Sequence, residues 1–299
     1  FFDTKAIMSI LVCIPAFNEG KVIDKVIKDC LKFSNEVVVC DDGSMDNTYE
    51  VADSAGADVI RHEKNIGKGE SLRSLFKFAR HSNHDIIVTI DGDGQFIPEE
   101  IPKLVKSIKE NKSDLVIGYR FDDTTEIPNY RRFGNKMLDK MTNMVEEISV
   151  RDTQSGFRAY SRKVIDDIEF KMKGFGADAE ILIDAAKKGY RLSEEKITVI
   201  YDTGTKTSTK NPISHTGEVI SSLVEITAVR SPLKFMGIPG IILMIAGLCF
   251  TINVAVTFSE IGYFSIPFTL IGATCLALGL ILFLMSILLF SISKRSLKK

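Results

Sequence analysis

Residues 85–95 read DIIVTIDGDGQ, an apolar run from Asp85 to Ile90 that breaks into Asp91-Gly92-Asp93-Gly94-Gln95. A short, nearly continuous apolar run closed by turn residues is the pattern of a strand buried on both faces. Two carboxylates two residues apart at the end of such a strand, with glycines allowing a tight bend, suit a hard divalent cation. Mg²⁺ and Mn²⁺ take oxygen ligands and commonly bridge to a diphosphate. A calcium loop of the EF-hand type is a poorer match, because its later ligands and its closing Glu are missing. An ordinary acidic turn is the remaining alternative.

The same alternation extends on both sides. Ser9 to Ile14 (SILVCI) is an apolar run stopped by Pro15, and Gly20 to Leu31 has helical spacing through Val22, Val26, Ile27 and Leu31. Strands are expected at Glu36–Cys40, Asp58–Ile60 and Asp114–Gly118, and helices at Asp46–Ala55, Lys68–Arg80 and Pro98–Glu110. That β-α rhythm predicts an α/β, doubly wound and mostly parallel sheet with helices on both faces. Ligands in such sheets lie at the carboxyl ends of the strands, and the polar motifs fall there.

A length of 299 residues suffices for one sizeable α/β domain and something smaller. The formal charge of −1 gives no global basic field, so nucleic acid is not an expected partner. Five scattered cysteines lack pairing or metal spacing and are expected to be reduced thiols. Phe1 to Met8 shows no cationic segment leading into an apolar core, so no signal peptide is expected, and Met8 is a candidate start.

Charge is distributed unevenly. Phe235 to Ser259 and Tyr263 to Ser293 contain no charged residue, and each exceeds the ~20 apolar residues that cross a hydrocarbon core. Two transmembrane helices are expected at about 235–258 and 264–291, within 233–293, followed by a basic tail at 294–299. Arg230 and Lys234 precede the first span, and Lys294, Arg295, Lys298 and Lys299 follow the second. Both sets lie on one side of a helical hairpin, which the positive-inside tendency puts in the cytoplasm. The chain is thus expected in the cell membrane, with residues 8–210 as a cytosolic catalytic domain. Residues 211–232 form a linker with a helix at Pro212–Val229, which either lies along the headgroups or packs on the soluble domain.

Further polar motifs follow the other strands. Pro15-Ala16-Phe17-Asn18-Glu19 follows the first, and Asp41-Asp42-Gly43-Ser44-x-Asp46 the second. Ser44 or Asp46 can cap a helix and Gly43 can form a turn, but a carboxylate pair at a buried strand end needs another reason. Such carboxylates can accept a nucleobase N–H or bond ribose hydroxyls. Asn65-x-Gly67-Lys68-Gly69 is a loop whose backbone can approach a phosphate or sugar closely.

Taken together, IPAFNE, CDDGSMDNT, NIGKG, DGDGQ, the GYR at Gly118–Arg120 and DTQSGFRAYS at Asp152–Ser161 resemble family 2 glycosyltransferases of the GT-A fold. The resemblance is strongest to the dolichyl-phosphate mannosyltransferase and polyprenyl-phosphate glycosyltransferase branch, and runs from about Ile10 to Tyr201. It implies that Asp91 and Asp93, with Gln95 beside them, hold the metal and the donor diphosphate. It implies that Pro15, Asn18, Glu19, Asp41, Asp42, Ser44 and Lys68 line the nucleotide. Arg120 and Arg131 look like the arginines that meet phosphate groups in these enzymes, and Asn135 stands where a small polar residue is usual. The implied partners are a nucleotide sugar (GDP- or UDP-), a polyprenyl or dolichyl phosphate and membrane lipid.

The chemistry is consistent with that resemblance. As a nucleotide-sugar bond breaks, negative charge grows on the diphosphate, and a cation stabilises it as a Lewis acid. A hydroxyl acceptor needs a general base. A phosphate monoester with a second pKa near 6 is already nucleophilic and needs only cations to place it. Candidate cations are Arg120, Arg131, Arg132 and Arg158, with Lys206 and Lys210 where the family usually has an Arg. Asp178 and Glu180 stand where hydroxyl-transferring relatives carry their base; they either act chemically, orient the sugar, or begin the helix Ala177–Lys188. The four histidines form no ligand set. A hydroxyl of a glycolipid or polysaccharide as acceptor, or a non-catalytic nucleotide-binding scaffold, are the competing readings.

Overall fold

The computed structural model describes residues 8–120, 150–171, 176–200 and 232–296. The chain divides into two compact units, Phe1–Leu223 and Val224–Lys299. The expected linker helix and the candidates Arg131, Arg132, Asn135, Lys206 and Lys210 lie outside the described residues.

The first unit is built on a seven-stranded sheet of order β3-β2-β1-β4-β6-β5-β7. Its strands are β1 (Ile10–Ala16), β2 (Glu36–Asp41), β3 (Asp58–Arg61), β4 (Ile86–Thr89), β5 (Leu115–Tyr119), β6 (Arg158–Ser161) and β7 (Leu192–Lys196). The helices α1 (Ile23–Cys30), α2 (Thr48–Ser54), α3 (Lys68–His81) and α4 (Ile101–Lys109) supply the crossovers between the first five strands. After β6 come α5 (Arg162–Asp167) and α6 (Gly176–Lys187). β1 and β4 are buried along nearly their whole length, as the apolar runs predict. Three of the four crossover helices show the sheet an apolar stripe at three- and four-residue spacing: Ile23, Val26, Ile27 and Cys30 on α1; Leu72, Leu75, Phe76 and Ala79 on α3; Ile101, Leu104, Val105 and Ile108 on α4.

Pairing is parallel between β1 and β2, β1 and β4, β2 and β3, and β5 and β7. β6 alone runs antiparallel, to both β4 and β5. This reversal positions the site. Thr89 at the end of β4 pairs with Arg158 at the start of β6, so the loop before β6 reaches the edge where β1, β2 and β4 end.

The second unit holds α7 (Ile238–Ile261) and α8 (Ile266–Ser296). The segments Leu233–Ile261 and Ile266–Ile292 are long and apolar enough to cross a membrane. The pair closes on glycines: a Cβ at Gly240 would sit 2.8 Å from the Gly279 carbonyl oxygen, and one at Gly247 equally near that of Gly272. Such close backbone approach is how small residues join helices where lipid supplies no hydrophobic drive. Large side chains such as Ile242, Leu270 and Ile281 stay exposed on the outside.

Candidate active site

Three neighbouring strands deliver three motifs to one edge of the sheet. Beyond β1, Asn18 adopts a left-handed conformation (φ 58°). Its N–H donates to Ser44 Oγ (2.8 Å) and its Oδ1 accepts from the Met45 N–H (2.9 Å). The Glu19 N–H donates to Thr48 Oγ1. Asn18 and Ser44, both expected to touch nucleotide, thereby stitch the β1 loop to the β2 loop.

The two carboxylates at the end of β2 differ in what they hold. Asp42 is buried and accepts three hydrogen bonds, from His62 Nδ1 (2.7 Å), Ile66 N–H (3.1 Å) and Gly67 N–H (2.8 Å). It folds the 62–67 loop onto the strand end, which starts α3 at Lys68. His62, which sequence patterns left without a role, also meets Ser74 Oγ of α3 through Nε2 (2.9 Å). Asp41 accepts from Ser44 N–H through Oδ1. Its Oδ2 is buried with no hydrogen-bond donor among the described residues, and Arg61 Nε lies 3.4 Å away. Gly43, Ser44, Arg61, His62 and Glu63 line a cleft beside it.

Beyond β4, Asp93 Oδ1 accepts the Gln95 N–H (3.0 Å), a local turn that Gly94 permits at φ 72°. Asp91 forms an ion pair with Lys68 Nζ at 2.8 Å, and the same ammonium lies 3.2 Å from Asp178 Oδ2. The site is rich in negative charge. Burial and the neighbouring Asp91 carboxylate raise the Asp93 pKa to about 6. Burial, with repulsion from Asp93, Asp46 and Asp91, raises Glu19 to about 8. Burial would lower the Lys68 pKa, but Asp178 and Asp91 outweigh it and hold it above the usual lysine range.

These residues fit a divalent cation of the shared kind. Asp91 and Asp93 offer hard oxygen ligands in a site where the carboxylates, with Glu19 and Asp178 nearby, outnumber the cations Lys68 and Arg120. No group of three or more His, Cys, Asp or Glu side chains suited to a metal occurs among the described residues. Two carboxylates therefore need a ligand's own oxygens to complete the shell, which a diphosphate supplies.

The loop before β6 forms the floor. Gly156 lies directly under Asp91: a Cβ there would be 2.6 Å from Asp91 Cγ and closer still to both carboxylate oxygens. Its carbonyl accepts from Thr89 Oγ1 at 2.9 Å in a buried hydrogen bond. Arg120, after β5, is forked onto the buried Asp152, with Nε–Oδ2 2.7 Å and Nη2–Oδ1 2.9 Å. It is near enough to Asp93 to oppose the rise in that carboxyl's pKa.

Arg158 was expected on acceptor phosphate, yet the structure buries it completely. Its Nε, Nη1 and Nη2 donate to the carbonyls of Ser155, Asp178 and Thr153 at 2.7–2.8 Å. Asp178 and Glu180 start α6 and are buried, Asp178 against Lys68 and Arg158, and Glu180 accepting the Lys171 N–H at 2.8 Å. Pro15 is half-buried on β1, opposite Cys40. The described cysteines are all free thiols, as expected.

Residues 11–169 match the family model for glycosyl transferase family 2. The UDP-N-acetylglucosamine–dolichyl-phosphate N-acetylglucosaminyltransferase of Methanococcus voltae is 31% identical over 216 residues, covering 64% of this chain and 86% of that protein. The dolichol-phosphate mannosyltransferase of Pyrococcus furiosus is 35% identical over 190 residues, covering 59% of this chain and 53% of that one. Among solved structures, glucosyl-3-phosphoglycerate synthase from Mycobacterium tuberculosis, crystallised with Mn²⁺, UDP and phosphoglyceric acid, superposes with a TM-score of 0.58. It covers 74% of this chain and 79% of that chain at 23% identity, a likeness of fold. With a family model spanning more than half of its residues and relatives named for dolichyl-phosphate sugar transfer, the chain belongs to glycosyl transferase family 2, as a glycosyltransferase resembling the polyprenyl-phosphate branch.

Proposed function

We propose that this chain transfers a sugar, with inversion, from a nucleotide sugar (UDP- or GDP-linked) to a polyprenyl or dolichyl phosphate at the cytoplasmic face of the membrane. The observation that carries the reading is the Asp91–Asp93 pair at the end of β4, on a chain that also has two membrane-length helices. The names of the relatives from Methanococcus voltae and Pyrococcus furiosus support the lipid-phosphate acceptor.

Each residue has a role that follows from its surroundings. Asp41 keeps one buried carboxylate oxygen for an N–H of the nucleobase in the cleft of Gly43, Ser44 and Arg61. Asp42, Asn18 and Ser44 hold the loops that shape this cleft. Asp91 and Asp93, with Glu19 beside them, would hold a divalent cation, which would supply Lewis-acid charge for the departing diphosphate. The acceptor phosphate, largely a dianion at neutral pH, attacks the sugar carbon without losing a proton to the protein. Arg120, fixed by Asp152, together with Arg131 and Asn135, places that phosphate, and Lys206 and Lys210 add charge from the segment after β7. A base is not required, in keeping with the engagement of Asp178 by Lys68 and of Glu180 by the 171 backbone. The basic residues Arg230, Lys234, Lys294 and Arg295 favour the cytoplasmic side for both ends of the hairpin.

Detergent-purified protein, offered labelled nucleotide sugars with a short polyprenyl phosphate and Mn²⁺ or Mg²⁺, is expected to move label from one donor into organic solvent. EDTA should abolish that transfer, and Asp93→Ala should lose it with the fold intact. Turnover retained in the Asp93 variant contradicts the cation assignment.

A further inference from the structure

Lys68 is the first residue of α3, and its ammonium is shared between two carboxylates of different standing. Asp91 belongs to the pair that suits a divalent cation. Asp178 lies 3.2 Å from the ammonium on the other side, is buried, and has Arg158 Nη2 3.9 Å from its second oxygen. The loop floor at Gly156 also packs closely against the Asp91 carboxylate. A cation approaching Asp91 meets the Lys68 ammonium 2.8 Å from Oδ1.

We propose that Lys68 is a positioning residue that acts as an internal stand-in for the divalent cation. It neutralises Asp91 while the site is empty and is drawn to Asp178 when the metal arrives. Under this arrangement Mn²⁺ or Mg²⁺ alone competes poorly for Asp91. The cation enters effectively only with a nucleoside diphosphate, whose negative charge offsets the ammonium. Asp178 is then the parking place of Lys68 rather than a base. The inference rests on the assignment of Asp91 and Asp93 to the cation.

The full chain in detergent can be titrated with Mn²⁺, following the disappearance of the free-ion electron paramagnetic resonance signal, with and without UDP or GDP. Wild type is expected to bind Mn²⁺ weakly alone and more tightly with the matching nucleotide. Lys68→Met should tighten binding of Mn²⁺ alone by about tenfold or more, the scale of one charge-assisted hydrogen bond, and shrink the nucleotide effect. Asp178→Asn, which removes the carboxylate that competes with Asp91 for the Lys68 ammonium, should weaken binding of Mn²⁺ alone. Opposite shifts in the two variants are a signature that general damage to the site does not produce. If Lys68→Met does not fold, Lys68→Met/Asp178→Asn preserves the charge balance and should still bind Mn²⁺ more tightly than wild type. Equal or same-direction shifts on a protein that takes up Mn²⁺ overturn the role of Lys68. No uptake by any form, with or without nucleotide, overturns the cation assignment beneath it.

Discussion

Replacing Gly156 by alanine tests whether the floor under Asp91 sets the reactive geometry. The added Cβ would lie 2.6 Å from Asp91 Cγ and nearer still to both carboxylate oxygens, whereas ordinary contacts begin at about 3.4 Å, so Asp91 has to retreat by at least about 0.8 Å, the difference between the Cγ distance and that limit. Gly156 is not among the glycines with positive φ, so the backbone accepts alanine without strain and the effect falls on Asp91. A misplacement near 1 Å in a positioned group lowers turnover on the order of 10²-fold. Turnover with saturating donor and Mn²⁺, measured beside thermal unfolding in the same detergent, reads both quantities. The expected result is a loss on the order of 10²-fold in turnover with the melting temperature near that of wild type. Gly189→Ala gives the opposite contrast: φ is 74° and nothing lies within 4 Å, so stability falls by about 1 kcal/mol while turnover is kept. Turnover of Gly156→Ala within about threefold of wild type, well short of the 10²-fold expectation, would show that Gly156 does not set the position of Asp91.

Other consequences follow from burial and charge. Arg158→Met leaves the Asp178 carboxylate without its guanidinium and three carbonyls without donors, so unfolding free energy should drop by about 3–5 kcal/mol, measured by denaturant titration. Glu19 and Asp93 bind protons more tightly when folded than unfolded. Their contribution to the stability of cation-free protein should thus be fully present below the ordinary carboxyl values of 3.8 and 4.5 and be lost as pH rises through about 6 for Asp93 and about 8 for Glu19. Glu19→Gln should flatten the upper part of that fall, which a series of melting curves in EDTA between those pH values will show. Asp114 behaves in reverse: hydrogen bonding from Arg191 holds its pKa below the usual range, so its stabilisation is present at neutral pH and lost on acidification. Asp114→Asn should erase that acid-side loss in the same melting series.

Much of the fold was legible because its signals are local. The runs SILVCI and DIIVTI became β1 and β4, and expected helix ends such as Lys68–Arg80 against Lys68–His81 differ by a residue. The direction of β6 was not legible, since a strand's sequence records burial and not the sense in which it pairs. With β6 reversed, Gly156 arrives beneath Asp91, a contact between residues 65 apart in the chain that no motif spacing announces. Asp42 shows the same limit. Its position after a buried strand marked it for ligand binding, and the structure engages it with His62, Ile66 and Gly67. Only the three-dimensional arrangement shows which of two adjacent carboxylates retains an oxygen without a donor. Arg158 in the GFRAYS motif is another case, because a motif arginine reads alike whether it faces a phosphate or three carbonyls of its own loop.

A lipid phosphate as acceptor needs no base. The most direct measurement compares transfer from the preferred nucleotide sugar to a polyprenyl phosphate and to the matching polyprenol, in wild type and in Glu180→Gln. Label should enter organic solvent only with the phosphate, and Glu180→Gln should retain transfer within about tenfold, short of the 10²–10⁴ that a general base contributes. Transfer to the alcohol, abolished by Glu180→Gln or by Asp178→Asn and indifferent to added polyprenyl phosphate, would contradict it.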